Sequence, residues 1–509
     1  MVTQLDLTQM EAMVQDVLEL QENIMLARNY FNGIQEVFLS DRAKEFLGMH
    51  KNNEFKLNVC RTIVTSVSNE LNLIGFDTNE TAKDGKQKEQ ATWAMDVYRK
   101  NKLASMQDSV HEFALADSET FTIVEWDAVE KFPRITHNPR FVDVDAGGDA
   151  MGVWMIYEND DPNQKPLKAV KQWIETTFDG LFKTPINVIR RTIYFHDHIE
   201  RWVFNSGSWQ HFVEEGKDWT IPHVDKQGNP LGLPVFHYKN KGLRAEHWDA
   251  ITMQDAINKT LVDILAAGDL TAFKSFFGFG FYPTIDGKEP KEDGSNIMKM
   301  GPAQFNGTMK NQTEASLQEI EGADMSPLVE TLTQLILLTA QITDTPVSRF
   351  ITTAAIASAD TLKAQESQLK RKAIDRRDLF STPWTDGMSM ARKLSNFYDN
   401  TAMDEKVQFI AMWEHSDSLD ELQQKHEVLG IPREQLWIEA GYTAEQIAAM
   451  KATPEYRVAY EQKLWEGATS ATQNIPLETY LKRAGVSDAE IQQIQKDIES
   501  QSGVPLANL

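Results

Sequence analysis

Residues 344–380 read DTPVSRFITTAAIASADTLKAQESQLKRKAIDRRDLF. Pro346 removes a backbone donor and disfavours the α conformation at the residue before it, so a helix arriving from the N-terminal side stops there. Val347 to Ala359 is small, mixed and poorly periodic, which predicts a loop or a short broken helix. Asp360 then opens a long helix. Leu362, Leu369, Ala373 and Phe380 repeat along one face, and Pro383 is expected to kink or interrupt it before the Met388 to Tyr398 segment. The same helix carries Lys363, Lys370, Arg371, Lys372, Arg376 and Arg377 against only Glu366 and Asp375. The plain reading of that run is a solvated face with some i,i+4 pairing; the functional one is a band of positive charge facing an acidic neighbour or a nucleic acid.

Working toward the N-terminus, Ser326 to Thr343 is a helix whose Ser326-Pro327 supplies the N-cap and the first helical position. Ala245 to Gly268 is another: Ile257, Leu261, Ile264 and Leu265 share one face, Asp255, Lys259 and Asp263 another, and Gly268 is expected to end it. Between the two lies a Gly-, Phe- and Lys-rich insert, 269–323, with Phe276 to Phe281 as a strand and Lys274, Lys288, Lys291 and Lys299 as its charge. From Thr120 to about Tyr238 the period shortens to that of strands: Phe121–Trp126, Met151–Tyr157, Arg191–His196 and Arg201–Phe204, with Asn205–Ser208 as a hairpin turn. Residues 1–76 read as helices. Val59, Ile63, Val67 and Leu71 form a stripe, and Gly75 stands where a helix C′ residue is expected. Thr78 to Gln90 reads as loop and Trp93 to Ala116 as helix. The fold class is α+β, mainly helical.

Beyond residue 415 the chain repeats itself. Ile431-Pro432 through Gly441 to Ile447 returns 44 residues later as Ile475-Pro476 through Gly485 to Ile491. Each copy has helix–turn–helix geometry. From Thr401 onward 18 acidic residues face 9 basic ones, which opposes docking on DNA and favours a helical packing unit.

Over all 509 residues the formal charge is −24, from 75 acidic against 51 basic side chains, so broad neutralisation of duplex phosphates is excluded. An apolar content of 41% excludes wholesale disorder. A single cysteine, Cys60, excludes an intramolecular disulfide and a Cys-rich zinc site and fits a reducing, intracellular setting. The acidic, amphipathic start lacks the basic end and apolar run of a signal peptide. The most apolar stretch, Leu328 to Ile342, is interrupted by Glu330, Gln334 and Gln341, so no membrane partner is expected.

Chemistry is sparse. No phosphate-cradling loop, dinucleotide fingerprint, nucleophile elbow or H-E-x-x-H pair occurs. His196-Asp197-His198 on a strand places two imidazoles on one face, a possible metal pair without a clear third ligand. Asp143 to Asp149 starts like a calcium loop but has Trp154 at the twelfth position, so a turn is expected. Cys60 lies in an apolar stripe and reads as core. The expectation is no catalytic residue, no metal and no cofactor. The rivals kept open are a metal-dependent hydrolase built on His196 and His198, and a helical scaffold or adaptor without a pore, for which the repeat argues.

The order of these features resembles the portal (connector) proteins of tailed bacteriophages. Tyr30-Phe-Asn-Gly33 with Gln35, Asn58 to Ser66 leading to Gly75-Phe76, Trp93 through Asn101 to Ala114-Leu115, Asp344-Thr-Pro346, and Ser358-Ala-Asp-Thr-Leu-Lys-Ala-Gln-Glu366 carry the likeness. Ala359 and Thr361 depart from it, standing where the family often has Gly and Ala. The resemblance implies a wing (1–244), a stem helix (245–268), a clip (269–323), a second stem helix (324–345), a tunnel loop (346–360), a long spine helix with a return to the wing (361–415) and a helical crown (416–509). It implies a ring, usually of about twelve copies, at a capsid vertex of the virion, built in the host cytoplasm. That ring would be the gate for packaging and ejection of double-stranded DNA. Implied partners are terminase, head-completion or adaptor proteins, and the major capsid and scaffolding proteins. Expected channel contacts are Ser348, Arg349, Thr352, Thr353 and Ser358 in the loop and Asp255, Lys259 and Asp263 in the stem. Lys274, Lys288, Lys291 and Lys299 are expected to dock partners, and Lys370, Arg371, Lys372, Arg376 and Arg377 to form a basic spine. An acidic lining suits a conduit, because it repels phosphate where a basic one would hold it.

Overall fold

A computed structural model describes residues 22–35, 57–80, 88–144, 150–178, 185–205, 207–213, 218–272, 275–279, 291–292, 316–320, 324–351, 359–414 and 447. The chain divides into two compact units, Met1–Trp413 and Glu414–Leu509. The 44-residue repeat belongs to the second unit and lies outside the described residues.

The first unit begins with helices α1 (22–32) and α2 (Val59–Ser68), strand β1 (Leu73–Thr78), and helices α3 (Glu89–Lys100) and α4 (Leu103–Ala116). A β-rich part follows: β2 (Glu119–Asp127), β3 (Phe132–Pro139), β4 (Asp143–Val144), β5 (Ala150–Tyr157), β6 (Pro166–Phe178), β7 (Pro185–Tyr194), β8 (His198–Asn205), β9 (Ser208–His211), β10 (Thr220–Pro222) and β11 (Val235–Lys239). Then come α5 (Ile251–Ala272), β12 (Ser275–Phe279), β13 (Ser316–Ile320), α6 (Ser326–Ile342), α7 (Ala359–Tyr398) and β14 (Phe409–Trp413). Helix outweighs strand only modestly, so the architecture is mixed rather than mainly helical. Among the described residues no helix is long and apolar enough to cross a membrane.

Two antiparallel sheets stack. One has the order β11-β2-β3; the other runs β10-β8-β7-β6-β5-β4, with β9 paired to β8. Alternation along the strands builds both sides. Val153, Ala169 and Tyr194 meet Phe121, Ile123 and Val235 of the smaller sheet, while Trp154, Val170, Ile193 and Trp202 pack with Ile24 of α1 and with Phe141. The outer face of the smaller sheet carries α7. Leu369, Ala373, Phe380, Trp384, Met388, Ala391 and Leu394 follow helical spacing and enter one core with Val64 and Val67 of α2, Val97 of α3, Val110 and Leu115 of α4, Val124, Ile135 and Tyr238. Helix α7 is thus the strut onto which the other layers fold. The insert's strand reading is met by the β12–β13 pair, with Phe277 opposite Gln318.

The structure corrects several sequence expectations. Gly75 is not a helix C′ residue. Helix α2 closes at Asn69, whose N–H bonds the Thr65 carbonyl, and Gly75 lies in β1 opposite Met412 with φ +154°. That φ is one L side chains rarely adopt, which favours glycine; a Cβ there would also stand 2.3 Å from the flexible Met95 Sδ, which would have to shift. The 93–116 helix is two helices, parted at Lys102 in the left-handed region (φ +54°), and the first of them already starts at Glu89. Gly268 does not end α5, which continues to Ala272. The cap of α6 falls one residue earlier than expected, at Met325, and Asp324 accepts the Ser326 N–H at 2.9 Å. Pro383 does not interrupt α7. It forgoes one backbone bond, a small loss against the burial of apolar residues on both sides of it in the same core.

Candidate functional site

Of the residues singled out in the sequence, Ser348, Arg349, Lys372, Arg376 and Arg377 lie at the junction of α6, the turn after it, α7 and the residues leading into α5. Helix α6 ends in a Schellman arrangement. The Thr345 N–H reaches the Ala340 carbonyl at 3.0 Å, with Asp344 at φ +48° in the place usually taken by glycine. Pro346 follows, and Val347–Arg349 form a single 3-10 turn. That turn is tied to the second turn of α7. Gln365 Oε1 accepts the Val347 N–H (3.3 Å), Ser348 Oγ donates to Glu366 (3.3 Å), and Arg349 Nη2 sits 3.2 Å from Glu366 and 3.8 Å from Glu70.

One turn further, Glu246 is buried between two cations. Lys372 Nζ lies 2.7 Å from one carboxylate oxygen, and Arg376 binds both oxygens at 3.0–3.2 Å. Asn240 donates a further bond at 3.1 Å. Burial would raise the Glu246 pKa, but Lys372 and Arg376 overcome it and hold the carboxyl below its usual range. Lys372 also donates to the Thr343 carbonyl at 2.6 Å, which satisfies the C-terminus of α6 and places a cation at its negative end. Arg377 donates from Nε to the Glu70 carbonyl at 3.1 Å. The basic run is therefore divided: Lys372, Arg376 and Arg377 act as internal clamps, while Arg371 is exposed and Lys370 half-buried.

Helix α5 is anchored at its start. Gln254 Oε1 accepts the N–H groups of Val59 (2.6 Å) and Cys60 (3.2 Å), capping the otherwise orphan donors of α2, and Asn258 accepts the Leu57 N–H at 3.0 Å. Asp255 accepts a bond from Tyr30 Oη at 2.7 Å, so it is held by the chain itself; Lys259 and Asp263 are exposed. Lys291 is described and exposed. Thr352, Thr353, Ser358, Lys274, Lys288 and Lys299 lie outside the described residues. Sequence reasoning named Glu366 and Tyr30 without their partners and missed Glu246, Glu70 and Thr343. Nothing in their spacing links them to the run, since Glu246 meets partners more than a hundred residues away.

The histidine pair is not arranged as expected. His196 and Asp197 form the turn before β8 rather than a strand face. His196 Nε2 is bonded to the Pro166 carbonyl at 2.9 Å, and His198 Nδ1 to Asp197 at 2.6 Å. Among the described residues no group of three metal-ligating side chains converges. Cys60 is buried, as the stripe predicts.

A cavity of about 1120 Å³ lies beside α1 and β5. On its wall Tyr157 Oη stands 2.6 Å from His237 Nδ1, His237 Nε2 stands 2.6 Å from Glu119, and Arg140 Nε donates to Glu119 at 2.8 Å. Burial would raise Glu119, but Arg140 and His237 hold it down to about 2. A carboxylate held this firmly as an anion is a poor general base; the chain ties the two sheets together. Because the folded value lies below the ordinary 4.5, this stabilisation is complete above pH 4.5 and is lost as pH falls through 2. Urea midpoints measured from pH 5 to 2 are expected to fall steeply for the native protein and to flatten in Glu119→Gln.

The family model described as phage portal protein, SPP1 Gp6-like, matches residues 19–452. No curated protein matches the sequence. Solved structures that are similar include "Neck of native GTA particle computed with C12 symmetry", at 11% identity and TM-score 0.37 over 79% of this chain and 89% of that one. Another is "Neck of empty GTA particle computed with C6 symmetry", at 11% identity and TM-score 0.38 over 77% and 89%.

Proposed function

The chain belongs to the SPP1 Gp6-like family of phage portal proteins, and on that premise we propose that its copies close into a ring that conducts double-stranded DNA at one capsid vertex. The observation that carries this reading is the family match across residues 19–452. In this reading the role is structural, and the force for packaging comes from a separate terminase that docks on the ring. Head-completion proteins, the major capsid protein and scaffolding proteins are the other partners. The protein resides in the virion after assembly in the host cytoplasm. The wing is 1–244, the stem helices fall in 245–268 and 324–345, the clip is 269–323, the tunnel loop 346–360, the spine 361–415 and the crown 416–509.

Electrostatics supports a conduit. A chain of net charge −24 repels phosphate, and a basic run at the loop base would otherwise hold DNA by counterion release. Glu246 offsets one of the two charges of Lys372 and Arg376, and Arg349 is paired with Glu366, so the positive charge nearest the loop is reduced. Ser348, Arg349, Thr352, Thr353 and Ser358 would edge the channel at the loop, and the clip lysines would meet partners. Native mass spectrometry and electron microscopy of the purified protein test the reading. A ring with an axial opening wide enough for duplex DNA is expected. A strict monomer across concentration and salt overturns it.

A further inference from the structure

Every second residue of β8 is buried, and the buried side reads His198, Glu200, Trp202. The middle residue is out of place. Cross-strand register sets Glu200 in one row with Trp154, Val170 and Ile193, members of the apolar core beside α1, yet it carries a carboxylate and is 0% exposed. Its Oε2 accepts the Trp202 indole N–H at 3.1 Å. Among the described residues its Oε1 is buried with no hydrogen-bond partner, and so are His198 Nε2 and Thr220 Oγ1. Thr220 stands directly opposite Glu200 on β10, and His198 is the next residue of β8 on the same face. A buried anion needs a counter-charge. Lys168 interacts with Glu200 only at longer range. His198 does not close the gap either, because its Nε2 stops 3.6 Å from Glu200 Oε1, beyond a hydrogen bond. The ring is pinned: Nδ1 donates to Asp197 Oδ1 at 2.6 Å, and Phe195 stacks on it at 4.3 Å between centroids and 9° between planes. Swinging Nε2 onto the carboxylate would break both contacts.

We propose that His198 Nε2 and Glu200 Oε1, with Thr220 Oγ1 beside them, hold a divalent cation of the zinc type that fastens β8 to β10. The gap has the right width. Two ligand atoms 3.6 Å apart, each about 2.1 Å from one cation, subtend about 118° at it, close to tetrahedral. The second contact of the ring is also the right one. A metal-bound imidazole commonly donates its other N–H to a carboxylate, and Asp197, by taking the Nδ1 proton, leaves the Nε2 lone pair directed at the gap. Glu200 and Asp197 together balance a doubly charged ion. Imidazole, carboxylate and hydroxyl form a borderline donor set, which suits zinc or cobalt better than calcium or magnesium; water fills the remaining position. His196 takes no part, since its Nε2 is already bonded to the Pro166 carbonyl. Full burial of Glu200 makes the role structural rather than hydrolytic. The proposal is independent of the ring reading.

The test uses the full chain, free of any histidine tag and stripped with EDTA, titrated with zinc chloride by calorimetry and followed by urea unfolding. One zinc per chain is expected, with a rise in the urea midpoint. Cobalt chloride is expected to give the visible absorption of a four-coordinate site. Glu200→Gln and His198→Gln are expected to abolish all three responses, and Thr220→Val to weaken zinc binding about tenfold. The metal-free state gives a separate reading. There Glu200→Gln removes a charge that has no counter-ion, so its urea midpoint is expected to equal or exceed that of the native protein, and zinc is expected to reverse the order. Native protein that binds no zinc overturns the proposal. Zinc held equally by the native protein, Glu200→Gln and His198→Gln is an adventitious ion only and overturns it too. So does a Glu200→Gln protein that fails to fold, or unfolds at lower urea than the metal-free native protein, because the carboxylate is then satisfied from within the chain.

Discussion

Glu246→Gln is expected to lower the unfolding free energy of the first unit by about 3–5 kcal/mol, read as a fall in the urea midpoint at pH 7. The substitution keeps the volume and some hydrogen-bonding capacity but leaves Lys372 and Arg376 as uncompensated cations in a site where Glu246 is 5% exposed and Arg376 8%. The cost of stranding a charge exceeds the net worth of the pair, because the desolvation already incurred is no longer offset. Replacing the cluster as a unit, Glu246→Leu with Lys372→Met and Arg376→Leu, is therefore expected to recover most of the loss, with a remainder from the Thr343 carbonyl losing its donor. The native contribution also depends on pH. The carboxyl is held below its ordinary 4.5, so the stabilisation is present above that pH and fades as pH falls through the folded value. Should Glu246→Gln leave the midpoint unmoved, the junction is not a clamp.

Trp384→Ala is expected to cost about 3–5 kcal/mol, again by urea unfolding. Trp384 heads the largest fully buried side chains and packs edge-on against Tyr238 at 5.1 Å between centroids. Its indole N–H donates to His111 Nε2 at 3.1 Å, while His111 Nδ1 lies 2.9 Å from the Leu71 carbonyl. That pattern fits a neutral imidazole, protonated on Nδ1 and accepting on Nε2. Burial lowers the His111 pKa to about 3, in keeping with the neutral form. Trp384→Phe separates packing from bonding. It keeps most of the ring but leaves His111 Nε2 buried without a donor, a loss of about 1–3 kcal/mol. A Trp384→Phe variant as stable as the native protein would refute the hydrogen bond's share, and equal losses in the two variants would refute the share of packing.

The strands of the β-rich part were legible because alternation is local. Phe121–Trp126 and Met151–Tyr157 each state their own period, and they fall in β2 and β5. The α7 stripe was legible for the same reason. Gly75 misled because a glycine after an apolar helical stripe signals a cap, and only its pairing with Met412 of the distant β14 makes it a strand position. Asp255 and the basic run showed their residue types but not their partners. Tyr30, Glu246 and Glu70 are brought to them by the fold, from positions 130 to 307 residues distant in the cases of Arg376, Asp255 and Arg377.

The sequence by itself determined the acidic character of the chain, the pair of helices around an insert, the break at Pro346 and the long helix after it, because charge, backbone restriction and side-chain period are properties of neighbours along the chain. Tertiary structure alone decided which cations are paired, which carboxylates are held, and which buried polar atoms are left without a partner. Those outcomes depend on distances of a few ångströms between residues far apart in sequence, and Coulomb energy, desolvation and apolar burial act through space, without regard to chain order.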